Sequence, residues 1–114
     1  MRISRRPVQR HVKGKMNGTE REYYQIYIRP LELTGEVIKC EFETLSLKLG
    51  KRCFYNPDFI LTMRDESKQV HEVKGGLIRD DARVKYLWAC EKYGTQYIFQ
   101  AWQKKKGLWK QIWN

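Results

Sequence analysis

Only 3 of the 114 residues are proline and only 3 are cysteine. Cys40, Cys53 and Cys90 are odd in number, widely spaced and never in a C-x-x-C pair, which argues against a structural zinc site and for three buried, reduced thiols. No run approaches the roughly 18 apolar residues of a membrane span, and the N-terminus has no apolar secretory segment. The expected location is therefore the cytoplasm, or that of an infected host, with no membrane partner. Acid is absent from residues 1–19, which carry Arg2, Arg5, Arg6, Arg10, Lys13 and Lys15. Internal repeats and low-complexity segments are also missing.

What is present is the composition of one folded domain, 1–114, with 41% hydrophobic and 13% aromatic residues. The net charge is +10, and +6 of it lies in residues 1–19. A second cluster, Lys104-Lys105-Lys106, lies near the C-terminus. Single-sign blocks of this kind favour a polyanionic partner, and nucleic acid is the commonest. The competing reading is a basic protein that is merely soluble.

The chain reads as a flexible basic arm (1–6), a short strand over residues 7–12, and a helix capped by Thr19 with Glu20 and Glu22 in its first turn. This helix would place Tyr23, Ile26 and Tyr27 on one face, and Pro30 would kink or stop it, or else start a second short turn. Val37 to Leu49 alternates as one or two strands, and Arg52 to Met63 as another, with Pro57 near its start. A polar turn at residues 64–68 leads to a strand from Gln69 to Lys74, closed by Gly75-Gly76. The next helix is capped by Asp80 or Asp81, stopped by Gly94, and carries Val84, Leu87, Trp88 and Glu91 near one face. Residues 95–102 form a strand, and Leu108 to Trp113 returns as its hairpin partner. A strand, a helix and another strand at this end imply one crossover connection. The fold expected is α/β, with a central mixed β-sheet flanked by helices and a C-terminal β-hairpin.

The chemistry sits in Tyr55-Asn56-Pro57-Asp58-Phe59-Ile60-Leu61 and His71-Glu72-Val73-Lys74-Gly75. A turn around Asp65-Glu66 sets Asp58 across from residues 72–74. Glu72 and Lys74 are two apart on a strand and share a face. Two carboxylates this close repel, and a divalent cation resolves the conflict; oxygen ligands suit Mg²⁺ or Mn²⁺, with the Val73 carbonyl also available. Such a metal polarises a phosphate and lowers the pKa of a bound water, while Lys74 orients that water or holds the scissile phosphate. The plainer alternative is an exposed Asp58–Lys74 salt bridge. An E-x-K triplet alone carries little in so charged a chain, and Glu66-Ser67-Lys68 is a second one. The proline before the acid, the apolar strands and the room left by Gly75-Gly76 favour the metal site.

Pro57-Asp58 followed by Glu72-Val73-Lys74 resembles the PD-(D/E)xK nuclease superfamily. The longer "YNPDF…HEVKG" run is similar to its small phage-encoded endonucleases, including Holliday-junction resolvase-like proteins. The resemblance runs from about Val8 to Tyr97. It implies a restriction-endonuclease-like core and a metal-dependent DNA endonuclease, with Asp58 and Glu72 as metal ligands, Lys74 as the catalytic lysine and Glu20 as an auxiliary ligand, Glu22 being the second choice. Arg2, Arg5, Arg6, Arg10, Lys13, Lys15 and Lys85 would grip DNA. A chain this small needs two copies to cut two strands, so a homodimer is expected, with no small-molecule cofactor. The alternatives are a non-catalytic nucleic-acid-binding module on a degenerate nuclease fold, and a phage protein that inhibits a host factor. His71 reads as a sheet-packing residue and His11 as a possible phosphate contact. Arg79 and Arg83 read as solvated or DNA-facing. Trp88 reads as core, and Trp109 and Trp113 as sharing one face of the last strand.

Overall fold

The computed structural model describes residues 13–113. The basic arm, the strand expected at 7–12, Arg2, Arg5, Arg6, Arg10 and His11 lie outside the described residues. Helix α1 (Gly18–Tyr23) runs through a π-turn (Tyr24–Ile28) into α2 (Arg29–Leu33). Strands β1 (Val37–Phe42), β2 (Leu47–Gly50), β3 (Cys53–Tyr55), β4 (Phe59–Met63) and β5 (Lys68–Gly75) follow. Helix α3 (Asp80–Tyr93) then leads to β6 (Ile98–Lys105) and β7 (Leu108–Ile112).

The main sheet has the order β1-β4-β5-β6-β7, and β2-β3 form a separate two-stranded sheet. β5 and β6 pair in parallel, while the other neighbours in the main sheet are antiparallel. The architecture is therefore α/β with a mixed sheet, and α3 makes the crossover that the strand–helix–strand pattern predicts. The stretch from Arg52 to Met63 is two strands rather than one. Buried Pro57, which offers no amide to a ladder, lies in the break between them.

Two apolar layers sandwich the sheet. Tyr23, Ile28, Val37, Phe59, Leu61 and Val73 form one, with Trp102 and Trp109 against it. Leu47, Leu49, Tyr55, Val70, Tyr86, Ala89 and Ala101 form the other, joining the β2–β3 hairpin and α3 to the opposite face. Alternation along β5 divides it between these layers: Val73 goes to the first and Val70 to the second.

Several local expectations are corrected. Asn17 rather than Thr19 caps α1, in a capping box: its Oδ1 accepts from the Glu20 N–H and Glu20 Oε1 accepts from the Asn17 N–H, both at 2.9 Å. Of the alternatives for Pro30, the start of a second short turn holds: it lies in the first turn of α2, and the wider turn before it, closed by the Arg29 N–H on the Tyr24 carbonyl, accommodates a residue with no amide proton. The π-turn also shifts the buried face, so Ile28 is covered and Ile26 is exposed. In α3 the covered residues are Tyr86 and Ala89, while Val84, Leu87 and Trp88 are exposed; Trp88 is not core, although its ring reaches Gly50. Arg79 precedes the first turn with no side-chain cap, and Asp80 and Asp81 lie inside that turn. Trp109 and Trp113 pack into opposite layers, on Tyr23 and Tyr86 respectively. Trp113 follows the end of β7 with φ of 61°, so strand alternation no longer governs it. The three cysteines are free and half-buried, and burial pushes the Cys40 thiol up to about 12, which makes it a poor nucleophile. Among the described residues no helix is long and apolar enough to cross a membrane.

Candidate metal and phosphate site

The β4–β5 hairpin sets the geometry. Phe59 pairs with His71, so continuing the register places Asp58 opposite Glu72. Asp58 lies just before β4, where its carbonyl accepts from the Glu43 N–H (2.8 Å) and its Oδ2 accepts from the Val73 N–H (2.8 Å). Glu72 is buried in the middle of β5, and Tyr55 of β3 donates its hydroxyl to Glu72 Oε2 (2.8 Å). Lys74 is on the same face, with Nζ 4.0 Å from Glu72 Oε1. The N–H and C=O of one strand residue point to the same side, so the Val73 carbonyl also faces the Asp58 side.

Glu20 arrives from the other layer. The start of α1 packs on the end of β5 at Gly75, where a Cβ would lie 3.0 Å from Thr19 Oγ1. Room at Gly75 is thus filled by Thr19 rather than left for a phosphate. This packing brings the buried Glu20 carboxyl within hydrogen-bonding reach of Asp58. Glu22 turns away and pairs with Lys104. Of the two helix acids, Glu20 is the one beside Asp58.

Electrostatics follow from this crowding. Burial, then the charge and carboxyl of Glu72, hold Asp58 well above the usual carboxylate range against the pull of the Val73 N–H and Lys74. Burial raises Glu72 as well, opposed by Lys74, Asp58 and the Tyr55 hydroxyl. Glu20 is pushed up to about 7, mainly by burial and then by Asp58, despite its bond from Asn17. Three carboxylates and one ammonium leave two uncompensated negative charges when all are ionised, the charge of one divalent cation. Like charges brought together out of water without a counter-ion are unfavourable.

The donor set is all oxygen, which suits Mg²⁺ or Mn²⁺ over softer metals. One oxygen of each carboxylate is anchored by a protein donor, which fixes the groups. Among the described residues, no three His, Cys, Asp or Glu side chains already stand in metal-binding geometry. The fit therefore rests on charge and donor chemistry rather than on a preformed coordination shell.

Asp58 and Glu72 open into a cleft of about 320 Å³, lined among others by Phe54, Asn56, Lys74, Asp81 and Lys85. Lys85, read as a solvated helix residue or, if the helix packs beside the site, a DNA contact, is exposed and on the cleft wall. Lys13 lines an adjoining groove with Glu43 and Asn56, and Lys15 is exposed. Sequence reasoning missed Tyr55, Phe54 and Asp81. The first two stand inside or next to the quoted "YNPD" run, but only the separate β2–β3 hairpin reveals what they face; Asp81 depends on how α3 docks. No family model, curated protein or solved structure matches this chain.

Proposed function

We propose that this chain is a divalent-metal-dependent endonuclease that hydrolyses DNA phosphodiesters, built on a restriction-endonuclease-like core and acting in the cytoplasm. The observation that carries the reading is the pair Asp58 and Glu72 beside Lys74 in an open cleft, with Glu20 of α1 near enough to act on Asp58. Asp58, Glu72, Glu20 and the Val73 carbonyl would hold Mg²⁺ or Mn²⁺. When bound, such a metal supplies Lewis-acid polarisation of the phosphate and a water of lowered pKa.

The chain's own groups do the rest. The Tyr55 hydroxyl and the Val73 N–H hold Glu72 and Asp58 in place, which preserves their orientation as charge develops on the phosphate. The Lys74 ammonium, close to Glu72 and partly exposed, faces the cleft, where it can donate to a phosphate oxygen or to the attacking water. Lys85, Lys13, Lys15 and the N-terminal arginines supply phosphate contacts that bind without reading sequence. Cutting both strands requires two such sites, hence a homodimer.

The test is cleavage of a supercoiled plasmid and a synthetic four-way junction in Mg²⁺. Glu72→Gln keeps the side-chain shape and an acceptor for Tyr55, and Lys74→Ala removes a half-exposed group, so both should fold. Each should lower the rate roughly 10²–10⁴-fold, the usual range for a group acting on proton transfer or developing charge. Cleavage that persists unchanged in both variants removes these residues from the site. A wild type that cuts no form of DNA rejects the activity and leaves the non-catalytic binding module.

A further inference from the structure

The β2–β3 hairpin has two unlike faces. Its inward residues, Leu47, Leu49 and Tyr55, join the core with Tyr86 and Ala89 of α3. Its outward residues are Lys48 and Phe54, directly opposite each other across the pair, with Arg52 and Asn56 two positions either side of Phe54. All four are exposed. From Ser46 to Pro57 the chain contains Lys48, Lys51 and Arg52 and no acid. The outward face is thus a basic strip with one aromatic ring at its centre.

An exposed phenylalanine is unremarkable by itself. Three further observations set Phe54 apart. Its ring, 43% exposed, lines the carboxylate cleft together with Asn56, Asp58, Lys74 and Lys85. The hairpin is fastened rather than loose: Tyr93 donates its hydroxyl to the Lys48 carbonyl (2.7 Å), Lys92 donates to the Leu49 carbonyl (3.4 Å), and the Trp88 ring packs on Gly50. The two-residue tip, Lys51-Arg52, holds Arg52 at φ of 59°, a conformation for which turn chemistry favours Gly or Asn. Its long basic side chain is exposed there.

We propose that this outward face is a stacking platform: Phe54 receives an unpaired base of the strand whose phosphate sits at the carboxylates, while Lys48, Lys51 and Arg52 hold the phosphates that follow. The substrate class is thereby narrowed to nucleic acid that is single-stranded or unpaired beside the cut. In an intact duplex both faces of each base are covered by their neighbours, so a flat ring on the cleft wall has nothing to stack on. An unpaired base offers a free π-face regardless of its identity, and basic groups alongside track the backbone. Arg52 at the hairpin tip, Phe54 in β3 and Asn56 just after it follow one another along the chain toward Asp58. The cleavage half of this proposal rests on the hydrolase reading; the binding half does not.

Binding is measured by fluorescence anisotropy without divalent metal, using a labelled oligothymidylate and a blunt duplex of equal length. Phe54→Ala should weaken oligothymidylate binding roughly tenfold and leave duplex binding within about twofold, since stacking acts only on the free base. Phe54→Trp should restore the single-strand affinity. Lys48→Gln with Arg52→Gln should flatten the salt dependence of single-strand binding by a slope of about 1.4, from two phosphate contacts. Equal loss on both probes, or no loss with Phe54→Ala, overturns the platform. In Mg²⁺, the wild type should cut a gapped duplex faster than an unbroken one, and Phe54→Ala should erase that preference. A wild type that cuts both equally, with Phe54→Ala changing nothing, overturns the platform and leaves the hydrolase standing. A wild type that cuts nothing while Phe54→Ala still loses oligothymidylate binding upholds the platform and removes the hydrolase.

Discussion

His71 and Glu72 are consecutive residues of β5, and both are buried polar groups, 6% and 4% exposed. They face opposite layers and lead opposite electrostatic lives. His71 is complete: its Nε2 donates to Gln69 Oε1 (2.9 Å) and its Nδ1 accepts from the Tyr23 hydroxyl (2.6 Å). Burial lowers it to about 4, so it stays neutral. Glu72 accepts from Tyr55, has a lysine at 4.0 Å and shares a hydrogen bond with the carboxyl of Asp58, yet it also meets the charge of Glu20. Burial is therefore no guide to function on this strand. The face on which polar groups satisfy each other is structural; the face on which like charges accumulate requires something from outside.

The comparison is broken most decisively by pH. Glu20 in the folded chain titrates near 7, above its ordinary 4.5. The native state binds its proton first, so its contribution to stability is fully present below about 4.5 and is lost as pH rises through about 7. His71 is depressed from 6.5 to about 4, so the unfolded chain binds its proton first and stability is lost as pH falls from about 6.5 to about 4. Each shift corresponds to at most about 3–4 kcal/mol. In metal-free urea melts from pH 7.5 to 4.5, the stability of the wild type relative to Glu20→Gln should rise on acidification, and that relative to His71→Gln should fall. Saturating Mg²⁺ should abolish the first slope and leave the second. Two slopes of the same sign would show that the faces do not differ.

The tyrosines sharpen the same contrast. Tyr23→Phe strands a buried acceptor on His71 and should cost about 1–2 kcal/mol in thermal melts with little change in cleavage. Tyr55→Phe releases Glu72 and should weaken Mg²⁺ affinity about tenfold, read by calorimetry, because it frees a ligand's orientation. If Tyr23→Phe weakens metal and Tyr55→Phe does not, the roles of the faces are reversed. The smallest effect belongs to Gly75→Ala, whose Cβ would press on Thr19 Oγ1 at 3.0 Å. A shift of a few tenths of an ångström in α1 should cost under about 1 kcal/mol yet slow cleavage severalfold, since positioning errors weigh on rate. An unaffected rate would remove Glu20 from the working site.

Much of this was legible in the residues because it depended on local pattern. The polar turn at 64–68 sets the register that puts Asp58 opposite Glu72, and alternation puts Lys74 beside it. The crossover through α3 follows from strand–helix–strand order. The face of α3 was not legible: apolar residues occur nearly all round it, and the choice of Tyr86 and Ala89 over Leu87 and Trp88 is made by the β2–β3 hairpin that covers them. That hairpin was itself hidden, since only the break at Asn56-Pro57 separates β3 from β4. Tyr55 and Phe54, which owe their roles to it, were hidden for the same reason. At Pro30 the second short turn was legible, but the π-turn that leads into it is announced by no periodicity.

That turn has one more consequence. Two residues five apart lie about 140° from each other on an α-helix, whereas Tyr23 and Ile28 are both buried in the same layer. The widened turn lets the two halves keep different phase. The first half is clocked by Asn17, Thr19 and Glu20 against the end of β5, and the second by Ile28 and Leu31 against the apolar layer. Without the spare residue the two alignments would compete, and the helix could satisfy its floor or its acid but not both.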